Sequence, residues 1–268
     1  MQIARIEEAS GRVVYASRQQ DGTLRRLEGD PLSGSVQETG EVVEVTKWRC
    51  PVDPPAIMCI GLNYAKHAAE GGMALPEHPM LFMKNPAAAN GHEQPIRIPA
   101  VCSDEVDYEC ELAVVIGRPC RDVSAEKALE FVWGYTIAND VSARVLQLER
   151  GGGQWCRGKG FDTFAPMGPV VVTTDEITNP NQLDISTSLN GETMQSSNTE
   201  DMIFSVRELI AFLSQGTTLL PGTCIFTGTP SGIGWARDPR VTLKAGDRVT
   251  IQINGIGELT NCVENAEK

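Results

Sequence analysis

Histidine is scarce in this chain, which also has no excess of basic residues and no long apolar run. Only three of the 268 residues are histidine, and none has the HExxH spacing of a zinc enzyme. The formal net charge of −12 disfavours binding to nucleic-acid backbones and to anionic membranes. No apolar stretch approaches the length that crosses a bilayer. The predicted partners therefore include neither nucleic acid nor membrane.

The eight cysteines include no CxxC pair, and most stand in apolar or strand-like surroundings. This usage is typical of free thiols in a reducing compartment. The first ten residues, MQIARIEEAS, carry early charges and lack the apolar segment of a secretory signal peptide. We therefore expect a cytoplasmic protein with unpaired cysteines.

Short apolar segments separated by polar turns dominate the chain and predict an α+β fold that is mostly β. Residues 1–52 have this pattern and predict a small N-terminal β subdomain, while the Pro-rich stretch CPVDPPA leads into a catalytic domain of residues 53–268. One helix is predicted after Ser124, and a second over residues 199–216 with Gly216 as its C-terminal cap. The apolar positions that indicate these helices are Ala125, Ala128, Leu129 and Val132 for the first and Ile203, Val206, Ile210 and Leu213 for the second.

The segment DYECEL places Glu109 and Glu111 at the head of an apolar run that predicts a buried strand. Residues two apart point to the same face of a strand, so the two carboxylates repel each other by roughly 3 kcal/mol at 6 Å. A proton, basic side chains or a bound cation would relieve this repulsion. Asp140, at the end of the predicted strand GYTIAND, adds a third carboxylate, and oxygen ligands suit Mg²⁺, Mn²⁺ or Ca²⁺. Spacing alone also fits glutamates at a strand edge that pair with arginines.

Further polar residues have both a functional and a structural interpretation. His67 stands three residues before Glu70, so the carboxylate can orient the imidazole as a base on one helical turn, or both can lie at the surface. Lys159 lies between two glycines and is either exposed or placed to approach a ligand. Arg144 and Gln147 follow Asp140 at i+4 and i+7, the spacing of one helical face, and Arg144 can equally form a salt bridge to the nearby carboxylates.

Six segments resemble, in order, motifs of the fumarylacetoacetate hydrolase family and together cover about residues 55–265. The segments are GLNYAKHAAE, DYECELAVVIG, GYTIANDVSAR, GKGFDTFAPMGP, LNGETMQSSNTEDMIFS and PGTCIFTGTPSGIG. The chain is most similar to the shorter bacterial-type and mitochondrial members with a small N-terminal extension. The resemblance implies the mixed β-roll or sandwich of that family and a homodimer. One position departs from the family pattern, because Gly160 replaces the serine or threonine that usually follows the matching lysine.

The resemblance also implies roles for residues of this chain. Glu109, Glu111 and Asp140 match the ligands of Mg²⁺ or Mn²⁺, and His67 with Glu70 matches the pair that activates water. Lys159 matches a residue that stabilises negative charge, while Arg144, Gln147 and Thr229 match positions at the substrate pocket. Residues 64–76, with Gly71 and Gly72, match a lid that becomes ordered over the substrate. No role is assigned to Asp107, His78 or His92.

These parts imply an Mg²⁺-dependent or Mn²⁺-dependent hydrolase that cleaves a C–C bond of an acylpyruvate-like diketo acid through a metal-held enolate. The family also contains oxaloacetate decarboxylases and isomerases of hydroxymuconate-type dienes, and both remain alternatives on the same site. A protein that binds a 2-oxo acid without catalysis is the alternative from another class.

Overall fold

The computed structural model describes residues 1–267 and contains mainly β-strands. The strands are β1 Gln2–Glu7, β2 Val13–Arg18, β3 Leu24–Asp30, β4 Ser35–Val42, β5 Lys47–Trp48, β6 Ile57–Gly61, β7 Met80–Lys84, β8 Ala89–Asn90, β9 Ile96–Ile98, β10 Val106–Asp107, β11 Cys110–Ile116, β12 Val132–Asn139, β13 Ser142–Ala143, β14 Ala165–Thr173, β15 Asp184–Leu189, β16 Glu192–Asn198, β17 Cys224–Phe226, β18 Arg248–Ile253 and β19 Gly257–Asn265. The α-helices are α1 Ala65–Glu70, α2 Arg144–Leu148, α3 Cys156–Lys159 and α4 Val206–Ser214, and short 3-10 helices cover Pro31–Ser33, Pro86–Ala88, Ala100–Cys102, Ala128–Phe131, Thr199–Asp201 and Gly234–Ala236. The predicted α+β class with a large majority of strands is confirmed.

A long mixed sheet forms the centre of the molecule. Its strand order is β4-β3-β2-β1-β14-β12-β11-β17-β6-β7, with β5 paired to β1 and β8 paired to β14. A second sheet, in the order β16-β15-β18-β19-β9, shares an apolar core with one face of the long sheet, and α4 contributes to that core. The strands β10 and β13 form a small separate pair beside the site described below.

Strand β11 is buried along its whole length, which explains why its sequence is continuously apolar. Leu112 and Val114 belong to the core between the two sheets, whereas Ala113 and Val115 belong to a separate apolar cluster on the opposite face. The side chain of Glu111 shares the face of the latter pair, because positions two apart in a strand point the same way.

The first fifty residues extend the long sheet. Strand β1 pairs antiparallel with β14, with Ile3 opposite Val171, and strands β2, β3 and β4 follow outward. The division into domains of residues 1–52 and 53–268 therefore stays a prediction. Strand β1 of the first part and β14 of the second pair within one sheet.

The helix predicted after Ser124 is wrong. The chain turns there and forms only a 3-10 helix over Ala128–Phe131, and Val132 is already the first residue of β12. Val132 pairs with Ile116, so the strand pairing outweighs the weak helical pattern of the preceding residues.

The second predicted helix exists but is shorter than residues 199–216. It begins after Ser205, whose side chain and that of Glu208 form a capping box, and it buries Val206, Ile210 and Leu213 as predicted. Ile203 lies before the helix. Gln215 is the cap, and Gly216 follows it with a φ of +64°.

All eight cysteines are free, as predicted. The helices within residues 1–267 include none that is long and apolar enough to span a membrane.

Candidate active site

Two neighbouring strands bring three carboxylates together. Strands β11 and β12 are antiparallel with Cys110 opposite Asn139, so the residue before β11 lies beside the residue after β12. These residues are Glu109 and Asp140, and the backbone N–H of Asp140 donates to the carbonyl oxygen of Glu109 at 2.9 Å. Ligand oxygens of Glu109, Glu111 and Asp140 all lie within 4.8 Å of one another.

Lys159 joins two of these carboxylates. Its Nζ lies 2.9 Å from Oε2 of Glu109 and 2.7 Å from Oδ2 of Asp140, and the side chain is buried. The third carboxylate, Glu111, instead accepts the backbone N–H of Gly228 at 2.6 Å. Gly228 has a φ of +98°, and a Cβ there would lie 2.6 Å from the Cβ of Asn63, so only glycine allows this close approach.

The two glutamates have pKa values shifted in opposite directions. Burial alone would raise the pKa of Glu109, but the charges of Lys159 and Arg144 outweigh it and hold that pKa below its ordinary value. Burial raises the pKa of Glu111 well above its ordinary value, and the charges of Asp140 and Glu109 raise it further. Of the three carboxylates, Glu111 is thus the one that forms no salt bridge with a lysine or arginine among residues 1–267.

The three carboxylates fit a hard divalent cation. Oxygen ligands from Asp and Glu are those that Mg²⁺ and Mn²⁺ prefer, and here Glu111 stands on β11 while Glu109 and Asp140 flank the adjacent ends of β11 and β12. Oδ1 of Asp140 is buried and accepts no hydrogen bond from residues 1–267, and its one cationic neighbour there is the ammonium group of Lys84 at 2.6 Å. A buried carboxylate oxygen that accepts no hydrogen bond can serve as a ligand for a cation.

Lys84, the last residue of β7, stabilises the site through buried polar contacts, and no sequence pattern indicated this role. Its Nζ donates to the carbonyl oxygens of Val141, Lys159 and Phe164 at 2.9, 2.7 and 2.8 Å and lies 2.6 Å from Oδ1 of Asp140. Burial lowers the pKa of Lys84. Three carbonyl acceptors nevertheless require three N–H donors, which the ammonium form alone supplies.

Arg144 forms the salt bridge that was one of its two interpretations. Its Nη1 donates to Oε1 of Glu109 at 2.5 Å and to Oε1 of Gln147 at 3.1 Å, and its Nε donates to Asp107 at 2.9 Å. The helical face predicted from Asp140 is wrong, because α2 begins only at Arg144. The residues between form β13, which pairs with β10 and turns the chain back toward Glu109.

His67 and Glu70 are brought together on α1, as the i+3 spacing predicts. Nδ1 of His67 lies 3.1 Å from Oε2 of Glu70, while Oε1 of Glu70 accepts the backbone N–H of Gly232 at 3.0 Å. The carboxylate thus orients the imidazole and also fastens α1 to the segment after β17. With Nδ1 turned to Glu70, Nε2 of His67 is left for the cavity.

A cavity of about 400 Å³ joins the polar groups. His67, Glu109 and Lys159 contribute to its wall, and so do the three residues matched to the substrate pocket. Much of the remaining wall is apolar and comprises Ile60, Met73, Phe82, Trp155, Ile233 and Trp235. The two tryptophans carried no sequence signal, since α3 and the Gly234–Ala236 turn that place them have no periodic pattern.

Thr229 is held in place by Gln195, a residue that sequence reasoning missed. Nε2 of Gln195 donates to Oγ1 of Thr229 at 2.8 Å, and its Oε1 accepts the backbone N–H of Cys110 at 3.0 Å. Gln195 therefore ties Thr229 to the start of β11. The hydroxyl proton of Thr229 remains available for a ligand, because its oxygen acts as the acceptor here.

The other two histidines lie away from the cavity, which agrees with assigning them no role. His78 is exposed, and His92 accepts the backbone N–H of Thr260 and packs against Trp48 at 5.3 Å between ring centroids. At Gly160 a Cβ would lie 3.0 Å from the carbonyl oxygen of Cys156, so a side chain there requires a small local shift.

Comparison with known proteins decides the family. Residues 56–264 match the family described as fumarylacetoacetate (FAA) hydrolase C-terminal, and residues 1–49 match the Rv2993c-like N-terminal family. The chain belongs to the fumarylacetoacetate hydrolase family. The resemblance found in the sequence motifs is thereby confirmed.

Three members of this family illustrate its range. The mitochondrial oxaloacetate tautomerase FAHD2A of Bos taurus is 46% identical over 220 residues, which are 82% of this chain and 70% of that protein. The crystal structure of 5-carboxymethyl-2-hydroxymuconate delta-isomerase from Mycobacterium smegmatis is 39% identical, with a TM-score of 0.86 over 99% of this chain and all of that one. Fumarylpyruvate hydrolase from Pseudomonas aeruginosa, solved with Mn²⁺ and pyruvate, is 33% identical, with a TM-score of 0.73 over 80% of this chain and 91% of that one.

We predict that Lys84→Met destabilises the protein by about 3–5 kcal/mol, because it removes the buried ion pair with Oδ1 of Asp140 and leaves three buried carbonyl groups without this donor. Urea unfolding followed by circular dichroism measures this free energy. Lys244→Met, at an exposed lysine, is the matched control and should change stability by less than about 0.5 kcal/mol. A similarly small change in the free energy of unfolding of both variants would contradict the stabilising role of Lys84.

We predict that Glu111→Gln raises the melting temperature of the metal-free protein at neutral pH. The folded-state pKa of Glu111 is raised, so its contribution to stability is present below the ordinary value of 4.5 and is lost as pH rises toward the folded pKa. The variant lacks this loss, and its advantage over wild type should therefore grow with pH.

Millimolar Mg²⁺ should raise the melting temperature of the wild type by at least about 2 °C and leave that of Glu111→Gln unchanged. Differential scanning fluorimetry between pH 5 and pH 8 measures both effects. Glu28→Gln, at an exposed glutamate, serves as the control and should behave as wild type. The absence of any Mg²⁺ shift in the wild type would count against the metal site.

Proposed function

We propose that this protein is a hydrolase that depends on Mg²⁺ or Mn²⁺ and cleaves a C–C bond of an acylpyruvate-like 1,3-diketo acid. The products are pyruvate, or another 2-oxo acid, and a carboxylic acid. The observation that carries the proposal is that the His67–Glu70 pair faces the same cavity as Lys159 and Glu109, the carboxylate through which the acidic cluster reaches that cavity. A base and a charge-stabilising group on one cavity are what hydrolysis of a diketo acid requires.

Glu109, Glu111 and Asp140 would hold the cation, which polarises a carbonyl oxygen of the substrate and offsets negative charge when it is bound. The 2-oxo acid end of the substrate would be positioned by two side chains with free donors. The amide nitrogen of Gln147 is free because Arg144 uses the oxygen, and the hydroxyl of Thr229 is free because Gln195 uses its lone pair.

His67 would act as the general base. It takes a proton at Nε2 from a water molecule, and the resulting hydroxide attacks the acyl carbonyl carbon of the substrate. The C–C bond then breaks, its electron pair leaves with the pyruvate part, and the proton held by His67 returns to that carbon. Lys159 uses two N–H groups for Glu109 and Asp140 and retains the third for the developing oxyanion.

The apolar part of the cavity wall favours a substrate with an apolar acyl tail. Trp155, Trp235 and Met73 line it, and the cationic residues of the wall, Arg144 and Lys159, are both already paired with carboxylates. A second substrate carboxylate at that end would lose its hydration without gaining a partner.

A second candidate function is the tautomerisation of oxaloacetate, and the name of the relative from Bos taurus at 46% identity favours it. This reaction moves a proton between carbon and oxygen and needs a base but no attacking water. His67 can supply that base equally well, so the two candidates differ in substrate rather than in the groups they use.

We predict that the purified protein with Mg²⁺ releases pyruvate from an acylpyruvate, and that His67→Ala lowers kcat by about 10²–10⁴. A coupled pyruvate assay measures hydrolysis, and the decay of the enol absorbance of oxaloacetate measures tautomerisation. Glu109→Ala should abolish both activities, whereas His78→Ala, at an exposed histidine, is the matched control.

Turnover of oxaloacetate without release of pyruvate from acylpyruvates would replace the hydrolase proposal with the tautomerase proposal. Binding of oxalate or pyruvate without any turnover would instead support a binding protein without catalysis.

We further propose that residues 64–76 form a lid over the cavity. His67, Gly71 and Met73 line the cavity, and Gly72 adopts a φ of +63° at the end of α1. Oxalate, a mimic of a 2-oxo acid end, should slow amide hydrogen exchange in residues 64–76 when Mg²⁺ is present, while exchange in β2 stays unchanged. Equal exchange with and without oxalate would contradict the lid.

We also propose a cytoplasmic location and a homodimeric assembly, as the cysteine usage and the family resemblance imply.

A further inference from the structure

Asp107 is a fully buried carboxylate to which the proposed reaction gives no task. It accepts five hydrogen bonds, all between 2.8 and 2.9 Å. Three come from the backbone N–H groups of Tyr108, Gly234 and Trp235, and two come from Nε and Nη2 of Arg144. A carboxylate with this many donors is fixed in one orientation.

Arg144 stands between Asp107 and Glu109 and is shared by them. Nε and Nη2 point to Asp107, so only Nη1 reaches Glu109 and Gln147. A guanidinium prefers to bind one carboxylate with two parallel N–H groups. Without Asp107, Arg144 would direct two N–H groups to Glu109. These groups would occupy the carboxylate oxygens that a cation needs.

Asp107 also fixes one wall of the cavity. Its two oxygens accept the N–H groups of Gly234 and Trp235, and the neighbouring side chains Ile233, Trp235 and Ala236 line the cavity. A Cβ at position 234 would lie 2.7 Å from Oδ1 of Asp107, so a glycine there allows the backbone to approach the carboxylate.

We propose that Asp107 is a positioning residue with two effects on the site. It holds the Nε and Nη2 groups of Arg144, so that only Nη1 competes with a divalent cation for Glu109, and it holds the wall of residues 233–236 against the cavity. The first effect rests on the proposed metal-dependent function, and the second does not.

Asparagine at position 107 tests the role of the charge because it has nearly the same shape. Its amide nitrogen is a donor, so one of the two groups of donors around Asp107 must lose its acceptor. Isothermal calorimetry with Mg²⁺ alone should give a Kd for Asp107→Asn about tenfold weaker than for wild type. Asp104→Asn, at an exposed aspartate three residues away, is the matched control and should bind Mg²⁺ as wild type does.

Arg144→Gln, alone and combined with Asp107→Asn, shows whether Arg144 carries the effect. With the guanidinium absent, loss of the Asp107 charge should no longer weaken Mg²⁺ binding, so the double variant and Arg144→Gln should have equal Kd values. The double variant removes both buried charges of the pair, and it keeps the test open if Asp107→Asn alone does not fold. An unchanged Kd in Asp107→Asn, or a double variant weaker than Arg144→Gln by the same tenfold, would overturn the proposed role in metal binding.

Amide hydrogen exchange of the metal-free protein tests the wall separately. The N–H groups of Gly234 and Trp235 should exchange about tenfold faster in Asp107→Asn than in wild type, since each loses a charge-assisted hydrogen bond. Trp235→Ala removes a side chain from the wall and keeps its N–H, so it should raise KM without changing the Kd for Mg²⁺. Unchanged exchange in Asp107→Asn would overturn the role in the wall, and a wild type that binds no Mg²⁺ would overturn the proposed function while leaving this result valid.

Discussion

The balance between buried carboxylates and buried cations at one end of β11 and β12 is the constraint on which the rest of the site depends. Buried charges are stabilised by ion pairs and hydrogen bonds, and here the cationic partners come from β7, α2 and α3. These elements are thereby held beside the carboxylates. The carboxylates are Asp107, Glu109, Glu111 and Asp140, and the cations are Lys84, Arg144 and Lys159.

The long sheet fixes the positions of these carboxylates relative to one another. Strand β11 is buried on both faces, and its antiparallel pairing with β12 sets the distance between the first carboxylates and Asp140 without any flexible connection. The segment after the neighbouring strand β17 adds the N–H of Gly228 to Glu111. The carboxylates thus lie at the ends of central strands of the sheet, while the shorter segments after the strands supply His67 and the cavity wall.

The sequence predicted those parts of the site that depend on local periodicity. The period of two placed Glu109 and Glu111 on one face, and the i+3 spacing joined His67 to Glu70. It could not predict that β13 turns the chain between Asp140 and Arg144, because a two-residue strand has no pattern of its own. Lys84 and Gln195 were missed for a related reason, since their partners lie far along the chain.

The two hydrogen bonds of Glu70 link the orientation of His67 to the position of α1. One oxygen orients His67, and the other accepts the N–H of Gly232, which precedes the wall residue Ile233. Any movement that carries α1 away from that wall also removes a contact that fixes the orienting carboxylate. In the proposed mechanism, His67 would therefore be oriented as a base only while α1 is held against this segment. A single hydrogen bond would thereby couple the access of solvent to the cavity with the orientation of the proton acceptor in the proposed reaction.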